Sequence, residues 1–63
     1  MQTTKLEHAL AAAQTYATRS GRVIHVWKIH YGMHQYMYYE WWPAESAEAR
    51  TFKREPDYIV QPA

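Results

Sequence analysis

The stretch VIHVWKIHYGMHQYMYYEWW, Val23 to Trp42, decides the fold. Its 20 residues hold two valines, two isoleucines, all three tryptophans and four of the six tyrosines, interrupted only by Gly32. β-Branched and aromatic side chains suit a pleated, half-buried surface. The stretch therefore reads as two antiparallel strands, about Arg22–His30 and Gln35–Trp42, joined by a tight turn. A two-residue loop, Gly32-Met33, suits a type II′ turn, and a three-residue loop, Gly32-Met33-His34, is an alternative. The choice matters because a one-residue slip exchanges the two faces of a strand. On the first strand, Val23, Trp27 and Ile29 share a face with His25. Ile24 and Val26 share the other with Arg22, Lys28 and His30. The first set is bulkier and is expected to fill the space under a covering helix. On the second strand, Tyr36, Tyr38 and Trp42 share a face. A lone hairpin cannot bury this many rings, so a helix covers one face, a partner covers the other, or both.

Upstream, Thr4-Lys5-Leu6-Glu7 has the pattern of a capping box. A helix over about residues 5–19 follows, with Leu6, Ala9, Leu10, Ala13, Tyr16 and Ala17 on one stripe. Ser20-Gly21 ends it, Gly21 being suited to the left-handed position after a helix. The stripe is mostly alanine, so this helix can lie close to a sheet whose larger side chains fill the interface. Downstream, Pro43 ends the second strand. Residues 44–54 read as one helical turn followed by extended chain, Glu55-Pro56-Asp57 as a turn, and Tyr58-Ile59-Val60 as a third strand. The expected architecture over residues 1–63 is one small α+β domain. One N-terminal helix packs on a two- to three-stranded antiparallel sheet, in the order α-β-β-(β).

The composition narrows function mainly by exclusion. The chain has no cysteine, so no disulfide contributes to its stability. A net charge of +1, with histidines neutral, is too balanced for a DNA-coating protein or an acidic DNA mimic. The N-terminal residues contain no apolar run of the length a secretory leader needs. Nor does any segment approach the 18 or so apolar residues of a membrane span. The expected compartment is cytoplasm, that of the owner or of a host.

Residue by residue, catalytic chemistry finds little support. Ser20 and Ser46 lack a nucleophile-elbow context, and no phosphate-binding loop occurs. Glu40, set between Tyr39 and Trp41, could carry a raised pKa in an aromatic setting. Alternatively it pairs across the hairpin with a basic neighbour or stays hydrated. His25, His30 and His34 lie within ten residues, with His8 on the helix, but strand alternation turns His25 away from His30, and no cysteine is available to complete a zinc site. No enzyme activity, cofactor, metal or small-molecule substrate is expected. Binding of another protein is. Tyrosine, tryptophan, methionine and arginine are enriched at interface cores. Tyr31, Met33, Tyr36, Tyr38 and Trp42 are the candidate contacts, with Arg22 and Lys28 at the rim. One alternative is a small single-stranded nucleic-acid binder, its rings stacking bases within a rim of Arg22, Lys28, Lys53 and Arg54. A second is a structural homo-oligomer, a homodimer included, that hides the aromatic face against another copy.

The helix–SGR–strand–turn–strand layout, carried by Ala12-Ala13-Gln14-Thr15-Tyr16-Ala17, Ser20-Gly21-Arg22 and the hydrophobic Val23–Ile29, resembles small accessory proteins encoded by phages and mobile elements. Anti-CRISPR and anti-restriction inhibitors are among them. The resemblance covers roughly residues 4–42 and is one of size and layout. It implies a short, non-enzymatic protein that acts by stoichiometric binding, such as an inhibitor of a host or bacterial-defence protein.

Overall fold

A computed structural model describes residues 1–32 and 36–63. The chain runs β1 (Gln2–Thr3), α1 (Leu6–Ser20), β2 (Ile24–Tyr31), β3 (Tyr36–Pro43), α2 (Ala47–Arg50) and β4 (Tyr58–Val60). The four strands form one antiparallel sheet in the order β1-β3-β2-β4, and α1 lies across one face. The expected α+β architecture is therefore present, with a helix followed by strands. The short pair β1–β3, which places Gln2 opposite Glu40 and Thr3 opposite Tyr39, is an addition that two polar residues do not announce.

Helix α1 begins one residue later than a Thr4 cap would allow. Lys5 occupies the N-cap in extended conformation with no side-chain cap, and its amide donates to Thr3 Oγ1 at 3.4 Å instead. Pairing of Gln2–Thr3 with β3 holds the preceding chain extended, and the Thr4–Glu7 box does not form. At the other end Gly21 adopts the left-handed conformation (φ 69°) and its amide donates to the Ala17 carbonyl at 2.8 Å, as the sequence leads one to expect. Among the described residues, no helix is long and apolar enough to cross a membrane.

The hairpin register is Tyr31↔Tyr36 through Ile24↔Pro43. It leaves four residues, Gly32 to Gln35, between the strands, rather than two or three. Of the expected turn, Gly32 is described, and Met33 and His34 lie outside the described residues. A four-residue connection preserves the facing of a two-residue loop, because the slip is by an even number.

The helix-side core is built from Ala9, Ala13 and Ala17 of α1 against Ile24 and Val26 of β2, Tyr39 and Trp41 of β3 and Val60 of β4. Leu6, Leu10, Ala12 and Met37 pack at its margin. This corrects the expectation that Val23, Trp27 and Ile29 lie under the helix. The bulkier β2 face points the other way. The alanine stripe brings the helix so near the sheet that medium side chains, Ile24 and Val26, suffice on β2, while the large rings come from the adjacent strand. Trp27 is nonetheless buried, at 2% exposure. Its cover is the chain between β3 and β4. The Phe52 ring stacks on it (centroids 4.1 Å, interplanar angle 8°), and its indole Nε1 donates to the Arg54 carbonyl at 3.3 Å. Helix α2, capped by the Ser46 hydroxyl accepting from the Ala49 amide at 3.1 Å, packs on β3 and holds this segment in place. The expected helical turn is present as α2, and the chain after it covers part of the sheet face that was expected to be bare.

Candidate functional site

Strand alternation and the register together assign the second face. From β2 it carries His25, Trp27, Ile29 and Tyr31, and from β3 Tyr36, Tyr38, Glu40 and Trp42. The segment that brings Phe52 over Trp27 covers the β2 side. On the β3 side, where α2 packs on the strand, Tyr36, Tyr38, Glu40 and Trp42 form a row spanning about 20 Å at the usual strand rise, open toward Tyr36. Tyr31 joins the row from the hairpin's far end. Its ring stacks on Tyr36 (centroids 5.5 Å, 23°) and meets Tyr38 edge-on (5.7 Å, 64°). Tyr31 is 52% and Tyr36 54% exposed, while Tyr38, Glu40 and Trp42 are half-buried. With Gln2, Thr3 and Thr4, the rings of Tyr31 and Tyr38 line a groove along β1.

Gly32 helps to shape this cluster. It has φ 70°, and a Cβ there would come within 3.2 Å of Tyr36 Cδ2. The absence of a side chain thus serves both the backbone conformation and the seating of the Tyr36 ring.

Glu40 sits in the middle of the row. Its cross-strand neighbours are Trp27 on β2 and Gln2 on β1, not the basic residue considered from sequence. Its Oε1 accepts the Trp42 Nε1 proton at 2.7 Å. Among the described residues its carboxylate has no cationic partner within ion-pair distance. On Tyr38, two residues away, burial and the Glu40 charge together hold the phenol above its ordinary pKa, so this hydroxyl stays protonated through the neutral range.

The candidate contacts separate accordingly. Tyr31, Tyr36, Tyr38 and Trp42 lie on one face, as expected of the last three. Met33 lies outside the described residues. Lys28 does not border the row: it pairs with Tyr39 and so belongs to the helix-side face. Arg22 is exposed and precedes β2, at the opposite end of the hairpin from the Tyr31–Tyr36 stack. Arg54, offered as a rim cation, is engaged at the edge of β2. There β4 has ended, and side chains continue its pairing. The Lys28 amide donates to Asp57 Oδ2 at 2.7 Å, the Arg54 guanidinium donates to the Lys28 carbonyl, and Arg54 and Asp57 form an ion pair at 3.0 Å. This closes the edge at Lys28 to a further strand. Burial alone would raise the Asp57 pKa. The Lys28 amide and the Arg54 charge outweigh it and hold the carboxyl below its ordinary value.

Glu40 is the residue that sequence reasoning undervalued. The signal was available, since Tyr38-x-Glu40-x-Trp42 at strand period 2 places a carboxylate between two rings on one face. Phe52 had no local signal, because its partner Trp27 lies 25 positions away along the chain. No protein-family model, curated protein or solved structure matches the chain.

Proposed function

We propose that this is a non-enzymatic protein-binding module that acts stoichiometrically through the open β3 row and the Tyr31 ring beside it. The carrying observation is the stacked pair Tyr31–Tyr36, each more than half exposed on the part of the second face that the segment between β3 and β4 leaves uncovered. Rigid rings with a polar tip supply contact area at little entropic cost, which is why they anchor protein interfaces. Inhibition of a host or defence protein is one use of such binding.

Electrostatics favours this reading over single-stranded nucleic acid. Stacking of bases would need phosphate-neutralising cations beside the rings. Here the row carries the Glu40 carboxylate, Lys28 belongs to the other face, and the Arg54 guanidinium is committed to Lys28 and Asp57.

The test is capture from the cytosol of a candidate host with wild-type bait and with bait carrying both Tyr31→Ala and Tyr36→Ala. Proteins held by the wild type and lost from the double variant, at unchanged helical circular dichroism, are the expected result. Equal capture by both baits refutes the assignment. A gel shift on mixed-sequence single-stranded DNA that weakens steeply with salt would favour the nucleic-acid alternative.

A further inference from the structure

We propose that Glu40, between Tyr38 and Trp42, receives an arginine guanidinium from the protein partner. This rests on the protein-binding reading and names the chemistry of the contact. The argument is one of charge complementarity. A half-buried carboxylate stands in a row of aromatic side chains, and its neighbours on the flanking strands, Trp27 and Gln2, are neutral. A carboxylate offers about four lone-pair sites over two oxygens. Trp42 Nε1–H occupies one at Oε1 and the Tyr38 hydroxyl approaches the same carboxylate, which still leaves two for a two-pronged contact. Burying such a group under a partner without a counter-charge is costly, so a partner that covers this row must bring a cation.

Arginine fits better than lysine. The guanidinium is planar, donates two parallel N–H bonds to a carboxylate, and stacks on aromatic faces. The Tyr38 and Trp42 rings, one strand repeat to either side of Glu40, offer such faces. An ammonium would satisfy the charge and leave the fork and the stacking unused. A phosphate or carboxylate ligand would be repelled.

The test is titration of the whole ¹⁵N-labelled protein with three acetylated, amidated tripeptides, Gly-Arg-Gly, Gly-Lys-Gly and Gly-citrulline-Gly. The readout is the Trp42 indole N–H signal, assigned with Trp42→Phe. The arginine peptide is expected to shift it with a Kd on the order of 1–10 mM, and the uncharged citrulline peptide not to shift it. Glu40→Gln keeps an oxygen for the Trp42 indole, so signal dispersion is preserved, and it should weaken arginine-peptide binding at least about tenfold, the worth of one charge-assisted contact. Equal shifts with citrulline, tighter binding of the lysine peptide, unchanged affinity in Glu40→Gln, or no shift at about 20 mM peptide would each overturn the proposal. A self-associated dimer that Glu40→Gln dissolves would also overturn it, because the cation would then come from a second copy. Loss of captured protein on changing Tyr31 and Tyr36, with full retention on Glu40→Gln, sinks the arginine contact alone and leaves the docking face standing.

Discussion

Phe52→Ala tests whether the segment between β3 and β4 holds the second face of the sheet. In the wild type the Phe52 ring lies parallel to Trp27 at 4.1 Å and is itself half-buried. Complete burial of a phenylalanine side chain is worth about 1.5–3 kcal/mol, so half burial contributes about 1 kcal/mol. The stacked geometry adds about 0.5–1.5 kcal/mol beyond area. The summed loss is about 2 kcal/mol, which in a domain of this size lowers the melting temperature by about 8–16 °C. For 63 residues the whole stability is about 3–9 kcal/mol, so the variant folds at room temperature with a much-reduced margin. Thermal unfolding followed by circular dichroism reads the shift. Tryptophan emission should move to the red, because Trp27 loses its cover. Lys53→Ala, at an exposed neighbouring position, serves as the control and should lie within about 0.5 kcal/mol of wild type. A melting temperature for Phe52→Ala indistinguishable from that of Lys53→Ala would refute the idea that this segment forms a second, stabilising cover.

Three further substitutions probe local devices. Asp57→Asn removes a carboxylate whose native pKa is depressed. Its stabilisation is therefore present above the unfolded-state value of about 4 and is lost as pH falls through the lower native value, so the melting temperatures of wild type and variant should differ at neutral pH and converge in strong acid; a gap that persists or widens there contradicts the assignment. Gly21→Ala and Gly32→Ala impose nearly the same backbone strain, at φ 69° and 70°, but only the second Cβ meets a side chain, that of Tyr36. Each should destabilise by about 1–2 kcal/mol from the left-handed conformation, and only Gly32→Ala should also alter the aromatic chemical shifts of Tyr31 and Tyr36; an identical response from the two variants would argue against close seating of the Tyr36 ring on Gly32.

Local patterns carried much of the fold. The alanine stripe, the Ser20-Gly21 stop and the β-branched, aromatic run after it each specify a helix, its end and a hairpin through near-neighbour chemistry. The assignment of faces was not local. Bulk on β2 suggested that Trp27 faces α1, but a helix faced with Ala9, Ala13 and Ala17 approaches too closely to need that bulk, and the ring finds its cover 25 residues later in Phe52. Pairing of Gln2–Thr3 with β3 was equally invisible, since strand addition by two residues depends on main-chain hydrogen bonds and not on side-chain type. For the candidate site, the shared face of Tyr36, Tyr38 and Trp42 follows from period 2 alone. Exclusion of Lys28 from that face required the register.

The two covers of the sheet differ in extent, and the difference produces the open row. Helix α1 takes the whole helix-side core, from Leu6 near the margin to Ala17. The second cover is short: α2 is one turn packed on β3, and past it the Phe52 ring and the Arg54 carbonyl reach Trp27. The chain then enters β4 beside Ile24–Val26, on the far side of β2 from β3. The β3 row is thus left open toward its Tyr36 end. Lengthening the connection tests whether the row depends on this cover. Two residues inserted after Glu55, beyond the Phe52 stack, should leave the row's tyrosine and tryptophan signals unmoved, because the row depends on the sheet register and not on the cover. Broad change along Tyr36–Trp42 in such an insertion would show instead that the cover and the row are one unit.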